Sequence, residues 1–168
     1  MNIMNQRGVE IERKFLIKIP SIELLDKLGT RTEIEQTYLE GENSSRRIRK
    51  ATERGIPTYY YCEKKDINAR RRTEEEYLIS EETYAHLLTE AKTGTLKKVR
   101  YRVPYLQLSF EIDVYPFWKD KAIIEVELSF EDEEIQFPPF IEIIGEVTND
   151  FGYRNVSLAQ LYVPLNKE

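Results

Sequence analysis

The sequence predicts an α+β fold in which an antiparallel sheet or barrel dominates and helices are few. Hydrophobic and polar residues alternate with period two through eight separate runs, which is the signature of strands with two unlike faces. Helical spacing is confined to two earlier segments and one near the end. A third observation is that the polar positions of many runs are charged rather than merely hydrophilic.

Taken in order, Val9–Ile19 reads as the first strand, and Pro20–Leu28 as a helix whose Ile22, Leu24, Leu25 and Leu28 share one side. Strands follow at Ile34–Leu39, Arg46–Ala51, Thr58–Lys64 and Thr73–Ile79. A second helix is expected over Glu81–Lys92, where Tyr84, Leu87, Leu88 and Ala91 fall at helical spacing. Lys97–Val103, Leu108–Tyr115 and Ala122–Phe130 complete the strands. Glu131 to Asp150 reads as irregular, broken by Pro138-Pro139 and Gly145, and Asn155–Tyr162 as a closing helix. With no linker or repeat, residues 1–168 form one expected domain, with residues 1–8 as a flexible tail.

Composition narrows the function. The chain has 168 residues, 40% hydrophobic and 33% charged, enough to bury a core without disulfides. A net charge of -5 argues against a general nucleic-acid binder, which gains affinity from an excess of Lys and Arg. The single Cys62 leaves no disulfide framework, no Cys/His spacing suggests zinc, and no apolar run suggests a signal peptide or a membrane span. A cytoplasmic protein is expected. Both standard glycine-rich phosphate loops are missing, so any phosphate must be held by side chains.

The strand faces carry the functional signal. In the first strand Glu10, Glu12 and Lys14 project from one side. Glu111 and Asp113 oppose Phe110, Ile112 and Val114 in one later strand, and Glu125 and Glu127 oppose Ile124, Val126 and Leu128 in the next. Arg47 and Arg49 flank Ile48, Lys98 and Arg100 flank Val99, and Arg72, Glu74 and Glu76 share a face. Any single run of this kind describes a half-exposed strand with its polar side in water. Six together describe a curled sheet whose apolar side meets the helices and whose inner side is a charged lumen, to which Lys64 also belongs. Such a lumen would be wet and ready for ions, because fully burying so many charges without partners is costly.

Arg and Lys suit phosphoryl oxygens, and paired carboxylates suit hard divalent cations. A single site offering both fits a metal complex of a polyphosphate.

The segment Glu10-Ile-Glu12-Arg-Lys14 resembles the Glu-x-Glu-x-Lys signature of the CYTH superfamily, the triphosphate tunnel metalloenzymes. The resemblance continues through Arg47-Ile-Arg49, Lys64, Arg72-x-Glu74-x-Glu76, Lys98-Val-Arg100-Tyr101, Phe110-Glu111-Ile-Asp113, Ile-Glu125-Val-Glu127, Gly145-Glu-Val-Thr148 and Tyr153-Arg-Asn155. It implies an eight-stranded antiparallel β-barrel, the triphosphate tunnel, with helices packed outside and one or two Mg²⁺ or Mn²⁺ ions within. By that resemblance Lys14, Arg47, Arg49, Lys64, Lys98 and Arg100, with Arg72 beside them, would hold phosphate oxygens. Glu10, Glu12, Glu125 and Glu127 would be the leading metal ligands. Glu74, Glu76, Glu111 and Asp113 would complete the metal shell or position water. Glu10, Glu12, Lys14, Lys64 and Glu127 would then carry catalysis.

The pattern is most similar to the bacterial inorganic triphosphatases, which implies hydrolysis of tripolyphosphate to pyrophosphate and phosphate. A class IV-type adenylate cyclase and a thiamine triphosphatase are the enzymatic alternatives; a polyphosphate- or nucleotide-binding module is the non-enzymatic one. The expected partner is a small triphosphate, not nucleic acid or membrane, and the chain is expected to act as a monomer or homodimer. Tyr59-Tyr60-Tyr61 and Trp118 are candidate rings for an organic substituent, although clustered Tyr also suits strand packing. Cys62 stands where relatives commonly have Thr, Glu63 where the position is usually apolar, and Phe151-Gly152 where basic residues are common. Arg70-Arg71 is a candidate replacement for that lost charge, or else a solvated turn. His86 is expected at the surface.

Overall fold

The computed structural model describes residues 9–41, 45–68 and 70–165, and within it the side chains of Val9, Glu10, Asp66 and Arg72 are left undescribed. The expected tail, residues 1–8, lies outside the described residues.

Alternation in the sequence becomes a nine-stranded antiparallel sheet. Its strands are β1 (Val9–Lys18), β2 (Thr30–Leu39), β3 (Ser45–Glu53), β4 (Ile56–Asp66), β5 (Arg71–Ile79), β6 (Ala91–Tyr105), β7 (Leu108–Val114), β8 (Lys121–Glu127) and β9 (Ile143–Glu146). The strand order is β5-β4-β3-β2-β6-β7-β8-β1-β9, and the ends of the eight long strands also meet, because β1 pairs with β5. That junction runs from Val9↔Thr73 to Ile11↔Arg71, and the Glu12 amide donates to the Arg70 carbonyl at 3.0 Å. A barrel-like tunnel of eight strands results, as expected.

Local chemistry explains the joints. The β3–β4 hairpin turns through Arg54 and Gly55 alone, both at positive φ (51° and 77°), which suits the right-handed twist of the strands. Helix α1 (Ile22–Leu28) starts at Ser21, whose hydroxyl accepts from the Leu24 amide, and buries Leu25. Helix α2 (Glu81–Leu87) is capped in the same way by Ser80 and buries Tyr84. Helix α3 is Asn155–Tyr162. No helix among the described residues is long and apolar enough to cross a membrane.

Three expectations are corrected. The second helix does not reach Lys92: a 3-10 turn at Leu88–Glu90 ends it, and Ala91 already pairs with Leu39 of β2. Gly94 in this stretch donates its N–H to the Val163 carbonyl at 2.7 Å, and a Cβ there would lie 2.8 Å from that oxygen. The strand expected over Ala122–Phe130 is β8, which stops at Glu127. The segment expected to be irregular contains β9, which pairs with Phe15–Ile17 on the edge of β1 that β5 leaves uncovered.

The core follows strand parity. Ile11, Phe15 and Ile17 of β1 join Tyr101, Val103, Phe110, Ile112, Ile124 and Val126 on the outer side, with Leu25 of α1 against them. The inner side is different at each end. Toward one end it is charged; toward the other Leu16, Leu96, Tyr115 and Ile123 meet Leu158 and Ala159 of α3 in a separate apolar cluster. The closing helix therefore plugs one end of the tunnel.

Candidate active site in the tunnel

Cross-strand register brings the predicted residues together. Glu12 of β1 lies opposite Glu127 of β8, and Lys14 opposite Glu125. Glu125 in turn faces Glu111 of β7, whose neighbours on β6 are Arg102 to Glu111 and Arg100 to Asp113. Directly opposed residues share a face, so these side chains line one surface. Across the lumen, Arg47 pairs with Cys62 and Lys64 with Glu74 in register, and Glu76 lies beside Cys62. Backbone pairing also sets Glu10 against Arg72, whose side chains are outside the description.

Most of the charges are already matched. Lys14 Nζ is 3.2 Å from Glu125, and Lys98 Nζ is 2.7 Å from Asp113. Arg100 grips Asp113 through Nε at 2.8 Å and reaches Glu111 at 2.5 Å. Arg49 meets Glu76 at 2.5 Å, while Arg47 and Lys64 approach Glu74 at 3.8 Å and 3.9 Å. Lys14, Arg47, Glu74, Lys98 and Asp113 are buried, which removes much of the solvent screening between them. The lumen charges are thus more fully ion-paired with one another than the sequence alone suggests.

Two regions remain under electrostatic stress. Burial and the neighbouring Glu12, Glu111 and Glu74 carboxylates push Glu127 up to about 7. Its Oε1 is buried with no hydrogen-bond partner among the described residues. On the opposite wall, burial and the nearby Arg47 push Arg49 down, and burial pulls Lys98 down to about 7 against the attraction of Asp113. Crowded acids are relieved by a cation and crowded bases by an anion.

The acids therefore divide by what they already do. Burial alone would raise Glu125 and Asp113, but Lys14 and Arg100 hold Glu125 low, and Arg100 with Lys98 holds Asp113 low. Glu127 and Glu12 are better placed for a divalent ion, with Glu111 and Glu74 adjacent in the same field. Among the described residues no group of three His, Cys, Asp or Glu side chains is already assembled around a point. The orphaned Glu127 oxygen and its raised proton affinity nevertheless fit a hard cation, which would displace that proton.

The plug is tied to the same bases. Lys14 Nζ donates to the Tyr153 carbonyl at 3.3 Å, and Lys98 Nζ to Asn155 Oδ1 at 3.4 Å. The Tyr115 hydroxyl also donates to Asn155 Oδ1. Phe151 is exposed and packs under the Arg154 guanidinium at 4.1 Å. Arg70 and Arg71 do not reach the plug; they hold Glu131 outside, by its carbonyl and its carboxylate respectively.

Other singled-out residues separate by parity. Tyr59 packs on Tyr84 and Tyr61 on Tyr77, both outside the tunnel, whereas Tyr60 lies beneath Arg49 with 5.1 Å between guanidinium and ring centre. Trp118 is buried in the plug cluster and donates to the Tyr162 hydroxyl, so it is not a free substrate platform. Cys62 faces inward, its Sγ 3.1 Å from Glu74, and Glu63 falls on the outer side opposite Glu75 without a break in register. His86 is exposed on α2.

Sequence reasoning missed Gln36 and Tyr38, and it named Asn155 within the resemblance without giving it a role. Gln36 and Tyr38 share the inner face with Arg49 and Arg47, their register partners. No alternation in Ile34-Glu35-Gln36-Thr37-Tyr38-Leu39 marks which side faces in, because Gln36 to Leu39 are all buried.

Comparison with known proteins agrees with this geometry. The CYTH domain model matches residues 8–162. A crystal structure of the inorganic triphosphatase NE1496 is 27% identical and superposes with a TM-score of 0.56, over 93% of this chain and 97% of that one. A second NE1496 structure gives 28%, 0.59, 92% and 99%. The PH1819 protein of Pyrococcus horikoshii OT3, 21% identical over 74% of this chain and 81% of its own, shares the fold with a TM-score of 0.58. No curated protein matches the chain. With the tunnel, its two charged walls and a family match over nearly its whole length, the chain belongs to the CYTH family.

Proposed function

We propose that the chain is a divalent-metal-dependent hydrolase of inorganic tripolyphosphate, releasing pyrophosphate and phosphate. The observation that carries this reading is the pairing, in one lumen, of the crowded Glu12–Glu127 rung with a wall of buried Arg and Lys. The likeness to the inorganic triphosphatase NE1496 supports the choice of substrate.

Arg47, Arg49, Lys98 and Arg100 bind the phosphate oxygens, with Lys14 and Lys64 at the margins and Arg72 assigned with them. Glu12 and Glu127 would hold Mg²⁺ or Mn²⁺, supported by Glu111 and Glu74, with Glu10 assigned to the same ion by the resemblance alone. When bound, the metal supplies charge neutralisation at the phosphate oxygens. Glu127 would hold the cation through Oε1, which has no hydrogen-bond partner among the described residues, and orient a water through its other carboxylate oxygen, which accepts the proton as the water oxygen attacks the terminal phosphorus. The bridging P–O bond breaks, and the basic wall stabilises the charge that collects on the departing pyrophosphate. Glu125 and Asp113 hold Lys14, Lys98 and Arg100 in place, alongside the metal ligation that the resemblance implies for them.

Phosphate release from tripolyphosphate, ATP and thiamine triphosphate, each with and without Mg²⁺ or Mn²⁺, tests this reading. Metal-dependent release that is fastest from tripolyphosphate is expected. Binding without release would indicate the non-enzymatic module, and cyclic AMP from ATP would indicate a cyclase.

A further inference from the structure

Gln36 is 1% exposed, on the inner face of β2 between Arg49 of β3 and Leu96 of β6. Its side chain meets the Tyr38 hydroxyl at 3.2 Å, and its other amide atom is buried with no hydrogen-bond partner among the described residues. The Nε atoms of Arg47 and Arg49 are likewise buried without hydrogen-bond partners among the described residues. Three unsatisfied polar groups on adjoining strands, in a lumen where each costs free energy to bury, point to one ligand.

The hydrogen-bond inventory decides what Gln36 offers that ligand. The Tyr38 hydroxyl is also engaged by the Arg47 guanidinium, which only donates. Tyr38 oxygen therefore accepts from Arg47, and its own proton needs an acceptor. Burial pushes the Tyr38 hydroxyl up, so that proton is retained. The Gln36 amide oxygen is the acceptor within reach, and a half-turn of the amide places it there. In that arrangement the amide NH₂ is the group left facing the lumen beside Arg47 and Arg49.

We infer that Gln36 is a substrate-binding residue, its NH₂ donating to a phosphate oxygen held between Arg47 and Arg49, with Tyr38 as the positioning residue that sets the amide. This rests on the reading that the tunnel takes a triphosphate. A neutral donor here adds a directional contact without adding charge to a wall where Arg49 is already pushed down by burial and by Arg47. It selects for a correctly placed phosphoryl oxygen.

Three variants and one measurement on the unaltered protein test this. Gln36→Met keeps the length and removes the donor; tripolyphosphate binding to the metal-free protein, read by calorimetry, weakens about 10- to 100-fold, and KM rises correspondingly while kcat changes less. Gln36→Glu weakens binding further, because it replaces the donor with negative charge. Tyr38→Phe weakens it less than Gln36→Met, because the amide is freed to rotate but not removed. In the unaltered protein, the side-chain amide protons of Gln36 shift in the NMR spectrum when tripolyphosphate is added, a readout that stands even if a variant fails to fold. Unchanged affinity in folded Gln36→Met and Gln36→Glu, or an unmoved Gln36 amide signal at saturation, overturns the inference. Binding without hydrolysis by the unaltered protein would instead overturn the triphosphatase reading and leave Gln36 to be judged by affinity alone.

Discussion

Lys14 on β1 and Glu125 on β8 are cross-strand partners, and their ammonium and carboxylate lie 3.2 Å apart with both side chains largely withdrawn from solvent. One rung away, Glu12 faces Glu127 instead, an acid against an acid. Adjacent rungs of one strand pair thus differ in kind: the first sets a base against an acid, and the second sets two carboxylates together, where the proposed cation would lie. A row of charges that looks uniform in the sequence is divided by what stands across from each member.

That division predicts different consequences for two similar substitutions. Glu12→Gln removes one of two repelling carboxylates, so the fold should stay intact while metal-dependent phosphate release falls by at least about 100-fold. Glu125→Gln leaves the buried Lys14 without its counter-charge and should cost about 3 kcal/mol in a urea unfolding experiment. Equal stability losses in the two variants would contradict the assignment, as would turnover like that of the unaltered protein in Glu12→Gln.

The two charged walls were legible where alternation is clean. In β7 and β8 every second residue is apolar, and in β1 Arg13 alone breaks the same pattern, so Glu12, Lys14, Glu111, Asp113, Glu125 and Glu127 could be placed on one face from sequence. β2 was not legible in the same way, because its later residues are buried both by the plug inside and by Leu39, Ile48 and Tyr84 outside. β9 has no pattern of its own and follows two prolines; it exists because β5 covers only the start of β1. Which acids pair with bases depends on register between distant strands, and alternation within one strand carries no record of it.

Lys98 links pH to anion binding. Burial pulls its ammonium down to about 7, Arg100 pushes the same way, and Asp113 and Glu125 oppose them; Asn155 and Tyr115 complete its surroundings. Below that pH a charged Lys98 would attract phosphate in the proposed site; above it the empty site would lose the proton. A bound polyanion restores the charge, so tripolyphosphate binding at about pH 8 should take up a proton, and affinity should fall as pH rises through 7. Calorimetry in buffers of different ionisation enthalpy measures the uptake. Lys98→Arg, which stays charged throughout, should reduce the uptake and flatten the affinity profile; an unchanged profile in that variant would assign the effect elsewhere.

Cys62 faces the lumen yet should be chemically quiet. Burial pushes its thiol up to about 11 in spite of the nearby Arg47, and Sγ is occupied by Glu74. A maleimide reagent at neutral pH should leave the native protein unlabelled over a period in which the urea-unfolded chain reacts completely. Cys62→Thr keeps a small donor toward Glu74 and should retain most of the phosphate release. Rapid labelling of the native protein would show that this strand opens more readily than its continuous pairing with β3 and β5 implies.

Closure of the tunnel rests on a close approach at Gly94. Its N–H donates to the Val163 carbonyl just past α3, and the Cβ of an alanine would sit 2.8 Å from that oxygen, nearer than atoms of this kind approach. Gly94→Ala must therefore push the end of α3 away or lose the hydrogen bond, at a cost of about 1–3 kcal/mol. Because Asn155 at the start of α3 accepts from both Lys98 and Tyr115, displacement of the helix should also reach the basic wall proposed to bind phosphate. Asn155→Ala tests that route directly: it leaves the α3–Gly94 contact in place but removes the acceptor from two buried donors. Gly94→Ala should lower the thermal midpoint and weaken tripolyphosphate binding together, whereas Asn155→Ala should weaken binding to a similar degree by loosening Lys98 itself. If Gly94→Ala destabilises the protein while binding is unaffected, the plug and the phosphate wall are independent, and the contacts of Asn155 serve only to hold the helix.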